Sequence, residues 1–173
     1  VSAVIYYIDA QSLHDTGVTV VKDHHNQPAY ILNGKHGLAN DRINLHTIAG
    51  QELGDIRQRT VGMSPRYDLT LNGQKAGSVK KLFGVWHEFV FVSDLNWLIF
   101  GNLLANEYHI YHGVKTVTTI AAVGAATSRT FQIDILDPRN VAAGLLVAAI
   151  LDRWRFVHQT NPLSRRNPAY GLG

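Results

Sequence analysis

Basic side chains are the residues of this chain whose types and spacing most readily support chemistry. Arg57 and Arg59 alternate along one stretch, so on a strand both project from the same face. Lys75 sits in the turn that follows the next strand, and Lys80 and Lys81 lie on the return strand beyond it. If these strands neighbour one another, Arg57, Arg59 and Lys80 form a cationic strip. Guanidinium and ammonium groups held in that way bind phosphate, the arginines through paired N–H donors. The same spacing also suits the solvated outer face of a sheet.

Other chemistries find less support. The nine histidines show no ligand spacing. His24 and His25 are adjacent and would point to opposite faces of a strand, while His109 and His112 are three apart and would not share one. No metal and no cofactor are expected. Gly62-Met63-Ser64-Pro65 lacks the second glycine of a nucleophile elbow. Gly73-Gln74-Lys75-Ala76-Gly77-Ser78 lacks the Gly-Lys-Ser/Thr ending of a phosphate loop and opens a strand, so it reads as a hairpin turn. The glutamates are Glu52, Glu88 and Glu107 alone, Asp134 lies in a strand, and Asp137 is placed to cap a helix. With no cysteine, disulfides, thiolate metal sites and cysteine nucleophiles are excluded. The expectation is a protein that is not an enzyme.

The charge is unevenly distributed. Net charge is +3 and the isoelectric point about 9.3. Residues 153–173 hold Arg153, Arg155, Arg165 and Arg166 and no acid, against 12 bases and 13 acids in residues 1–152. A basic tail of this kind suits an anionic surface or a solubilising terminus. Trp86, Phe89, Phe91 and Trp97 fall in apolar runs and are expected to pack, which argues against nucleic acid as a partner. At 46% hydrophobic and 17% charged, 173 residues suit one globular domain with a core. No apolar run reaches the roughly 20 residues of a transmembrane helix. The opening Val1-Ser2-Ala3-Val4-Ile5 reads as a first strand, and the absence of cysteine and of glycosylation sequons gives a cytoplasmic expectation.

The elements that must position these groups are hairpins. Asn33-Gly34, Asn72-Gly73 and His112-Gly113 separate alternating apolar segments, and Asn-Gly tolerates the positive φ that tight hairpins need. Glu88–Val92 and Trp97–Phe100 flank a further turn, and Arg129–Ile135 is a last alternating strand. Then the period changes. After Asp137-Pro138, residues Val141 to Leu151 are apolar on every side. As a helix they span about 16 Å, too short to cross a bilayer, so protein must surround them. A closed or nearly closed antiparallel barrel with the helix through its centre satisfies both requirements. A sheet with the helix on one face is the alternative.

This order of segments resembles the LURP-one-related family, whose members share the tubby C-terminal-like fold with phospholipid scramblases. Gln27-Pro28-Ala29-Tyr30 with Gly34, Ser64-Pro65-Arg66-Tyr67-Asp68-Leu69 with Asn72-Gly73 and Val79-Lys80-Lys81, Gly101-Asn102 with Tyr108-His109-Ile110, and the helix Leu145–Asp152 carry the resemblance over residues 6–155. It implies a mainly β protein, a closed antiparallel barrel of about twelve strands around a central C-terminal helix. The expected organisation is one domain over 1–155, its helix at about 138–154, and a basic tail over 156–173. The resemblance implies less about function: tubby domains bind phosphoinositide headgroups, but no headgroup ligand carries over residue by residue. Taken with the basic residues, the expectation is a non-enzymatic module docking on anionic phospholipid headgroups or a membrane surface, cytoplasmic or peripheral at the membrane. Arg57, Arg59, Lys75, Lys80 and Lys81 are the candidate headgroup-binding residues. A protein-interaction domain with no lipid ligand, meeting a partner through sheet edges or the tail, is the alternative.

Overall fold

The computed structural model describes residues 3–35, 41–60, 66–82, 88–102, 107–124 and 129–160. Twelve antiparallel strands close into one ring in which each strand pairs with its neighbours in sequence and the last pairs with the first. They are β1 (Val4–Asp9), β2 (Val18–Asp23), β3 (Pro28–Lys35), β4 (Arg42–Thr47), β5 (Glu52–Thr60) and β6 (Arg66–Leu71). The ring continues with β7 (Gln74–Leu82), β8 (Glu88–Val92), β9 (Trp97–Asn102), β10 (Glu107–His112), β11 (Lys115–Val123) and β12 (Thr130–Ile135). Closure is made by β1 against β12, with Val4 opposite Ile135 and Ile8 opposite Phe131.

Alternation decides which side chains face inward. On β6, Tyr67 and Leu69 are buried while Arg66, Asp68 and Thr70 lie on the other side. At the β6–β7 turn Asn72 and Gly73 both take positive φ (50° and 75°), the backbone twist a two-residue hairpin requires. Helix α2 (Val141–Thr160) runs through the ring. Leu145, Leu146 and Ile150 are sealed against Leu45, Ile56, Leu69 and Ile133 from the strands. The two alternatives for the apolar helix are thereby decided in favour of a complete jacket.

A one-turn 3-10 helix, Pro138–Asn140, leads into α2. The Asp137 carboxylate accepts from the Arg139 backbone N–H and from its guanidinium. Those bonds hold its pKa down to about 2. The helix reaches Thr160, six residues beyond the expected Trp154. Residues 161–173, most of the expected tail, lie outside the described residues. A further short helix, α1 (Ala10–Thr16), joins β1 to β2. Asp9 caps its start by accepting from the backbone N–H groups of Gln11 and Ser12. Gly17 ends it in the left-handed conformation.

α2 enters the ring at the end where the β6–β7 and β10–β11 turns lie and leaves at the other. There two ion pairs with little solvent exposure fasten it to the ring: Arg153 to Asp41 at 2.7 Å and Asp152 to Arg129 at 3.5 Å.

Candidate functional site

The outer walls of β5, β6 and β7 carry the candidate cations. Arg57 pairs in register with Asp68 on β6, and Arg66 with Lys80 on β7. The strip expected from sequence requires the strands of Arg57 and Lys80 to be neighbours. β6 lies between them, and its outward residues complete the patch. The Asp68 carboxylate is the centre. It accepts from Arg59 Nε at 2.8 Å and from Ser78 Oγ at 2.8 Å. Lys75 Nζ stands 3.4 Å from it and Arg66 Nε 3.9 Å. Arg66 also donates to Ser78 Oγ at 3.0 Å, so the serine links guanidinium to carboxylate.

Burial pushes the Asp68 carboxyl upward, but hydrogen bonds from Ser78, Arg59 and Lys75 outweigh it and hold the group below the usual carboxylate range. It therefore stays ionised and keeps the cations together. Five of them, Arg57, Arg59, Arg66, Lys75 and Lys80, share a wall whose one acid on β6 and β7 is Asp68. Among the described residues, Arg57 and Lys80 have no ion-pair partner, and Lys80 is exposed. Lys81 pairs through its backbone with Val90, and its side chain lies outside the described residues. Arg66 is the member that sequence reasoning left out. Its signal was available in principle, since it alternates with Asp68, but its place opposite Lys80 follows only from the register.

Beyond β7 the wall changes character. Phe91 lies opposite Lys80, Leu98 opposite Phe91, and Tyr111 opposite Leu98. Phe89 and Phe100 pack edge to face at 5.0 Å, and Phe100 and Tyr111 at 5.7 Å. Trp97 packs inward as expected, at 3% exposure. Phe89 packs too, but on the outer face, because Val90 and Val92 take the inward positions of β8; Phe91 shares that outer face. Trp86 lies outside the described residues.

Elsewhere the titratable groups serve one another. Arg42 bridges Glu52 and Asp55 at 3.3 and 3.0 Å, and His109 meets Glu107 at 2.9 Å. Among the described residues no three metal-ligating side chains gather. No described helix is long and apolar enough to cross a membrane. The barrel interior, where a carried ligand would sit, is filled by α2.

A family model described as LURP-one-related matches residues 4–152 of this chain. The chain is similar to an uncharacterized protein, YxjI, of Bacillus subtilis (strain 168), with 21% identity over 132 residues, 76% of this chain and 82% of the relative. It is also similar to the X-ray structure of a protein from Arabidopsis thaliana. There the TM-score is 0.58 at 13% identity, covering 88% of this chain and 93% of that one. The closed ring of twelve strands with its central helix is the tubby C-terminal-like fold.

Proposed function

From the premise that this chain belongs to the LURP-one-related family, we propose that it is a non-enzymatic binding module that docks on anionic phospholipid headgroups at a membrane surface. The observation that carries this reading is the outer wall of β5–β7, where Arg59, Arg66 and Lys75 converge on the Asp68 carboxylate and Arg57 and Lys80 flank them. Asp68 organises Arg59, Arg66 and Lys75 without cancelling them, and Arg57 and Lys80 remain available to phosphate. A cytoplasmic, membrane-peripheral location is part of the same proposal. Each cation near an anionic leaflet contributes about 1 kcal/mol, so the attachment is electrostatic and salt-sensitive. The alternative is a protein-interaction domain that meets a partner through sheet edges or the basic tail; each described strand pairs with two neighbours in the ring, β1 and β2 through Tyr6–Asp23 and Tyr7–Lys22, which leaves little edge for the first of these routes.

The test is flotation of the full chain with phosphatidylcholine vesicles, with and without phosphatidylserine, at low and physiological salt. Binding is expected only with phosphatidylserine, weakening as salt rises. Arg57→Glu with Lys80→Glu is expected to lower it about tenfold or more, while Arg165→Gln with Arg166→Gln leaves most of it. Unchanged binding by the first double variant would overturn the assignment of the site.

A further inference from the structure

The aromatic strip beside the cations lies outside the barrel core. Its residues face away from the core, on strands whose inward positions are already filled by Val90, Val92, Ile99 and Ile110. Phe100 is 38% exposed, Phe89, Phe91, Leu98 and Tyr111 are half-buried, and the rings of Phe89 and Tyr111 both pack on Phe100. A row of cross-strand partners runs Arg66, Lys80, Phe91, Leu98, Tyr111, changing from cationic to apolar between β7 and β8. Five strands at their usual spacing make this row about 19 Å long. The surface is thus divided into a phosphate-seeking half and an aromatic half, side by side on one wall.

We infer that Phe89, Phe91, Leu98, Phe100 and Tyr111 enter the interfacial zone of a phospholipid bilayer while the adjoining cations hold the headgroups. The inference rests on the headgroup reading above and adds an orientation to it. Charge complementarity names the occupant. A bilayer of anionic lipid offers phosphates and, a few ångströms deeper, hydrocarbon, the same two chemistries in the same adjacency. Aromatic side chains favour that boundary, Tyr111 keeping its hydroxyl wet. An added peptide strand is ruled out here by the closed ring, which leaves only side chains to meet a partner. The wall that leads with β8–β10 sets the opposite wall, β2–β3 with Val20, away from the membrane.

The absence of cysteine makes the test direct. Phe100→Cys and, on the opposite wall, Val20→Cys each take a single environment-sensitive fluorophore on the full chain. With phosphatidylcholine–phosphatidylserine vesicles, the probe at 100 is expected to shift to the blue and to be quenched by lipids brominated in their acyl chains. The probe at 20 is expected to stay aqueous. Phe91→Gln with Phe100→Gln is expected to weaken partitioning about tenfold while keeping its salt dependence. Circular dichroism checks its fold, and the probe experiment decides if that variant is unstable. Flotation with an aqueous probe at 100 overturns the insertion and leaves the headgroup reading intact. No flotation of the parent overturns both. A blue shift at 100 that grows with protein concentration and needs no vesicles assigns the strip to a second copy of the chain and overturns the proposal.

Discussion

Asp68 is the residue on which the cationic wall depends. Arg59, Arg66 and Lys75 converge on its carboxylate, and Ser78 both donates to it and accepts from Arg66. Replacing it by asparagine leaves those cations facing one another. Asp68→Asn is expected to cost about 1–3 kcal/mol in urea unfolding at neutral pH. The same variant, freed of the competing carboxylate, is expected to bind anionic vesicles at least as well as the parent. The pH dependence has a definite sign. Asp68 has a lowered pKa in the folded state, so its contribution is complete above the ordinary carboxylate pKa and is lost as pH falls through the lowered one. The gap in stability between parent and Asp68→Asn should therefore close below about pH 4. Asp137 follows the same rule with its pKa at about 2. Asp137→Ala is expected to loosen the start of α2, seen as faster amide exchange there at neutral pH.

At the level of elements, the fit between ring and helix is close enough to be tested one atom at a time. A Cβ placed on Gly54 of β5 would meet the Thr70 carbonyl oxygen, the Leu71 side chain and, at 3.4 Å, Leu146 of α2. Gly54→Ala is expected to destabilise by about 1–3 kcal/mol, because backbone on one side and a sealed helix on the other cannot both give way. Leu146→Ala, at a fully buried position, is expected to cost about 2–5 kcal/mol by leaving a cavity. Urea midpoints measure both. These two elements also mark what the sequence made legible. The hairpin strands announce themselves by two-residue alternation and by turns such as Asn72-Gly73, and α2 by being apolar all round, since each signal is local; Asn33-Gly34, read as a turn, instead lies within β3, paired with Asn44 and Ile43 of β4. Helix α1 was overlooked: seven residues carry too little periodicity, although Asp9 and Gly17 stand at its ends as cap and stop. The cationic patch was partly legible, because alternation along β5 gives a face but not a neighbour. Arg66 and the outward turn of Phe89 and Phe91 depend on register between strands, a non-local quantity that composition does not contain.

For the whole molecule, the helix is the core of the barrel and the barrel is the solvent of the helix. Neither has a stable fold to adopt alone: the ring without α2 would enclose a void lined by Leu45, Ile56, Leu69 and Ile133. Stopping the chain after Asn140 is expected to abolish cooperative unfolding in urea, the parent giving a single sharp transition. The order in which the chain is laid down makes this dependence a matter of timing. β1 must wait for β12, and the entire ring must wait for α2, which follows β12. At a ribosomal rate of about 5–20 residues per second, the first strand stands unpaired on one side for on the order of ten seconds. The inward leucines and isoleucines of the early strands are without their helix for at least as long. A nascent chain of this design is a long run of sticky hairpins until α2 emerges. Co-expressed chaperones that shield apolar strands are therefore expected to raise its soluble yield, and the helix acts as the latch that ends the exposure.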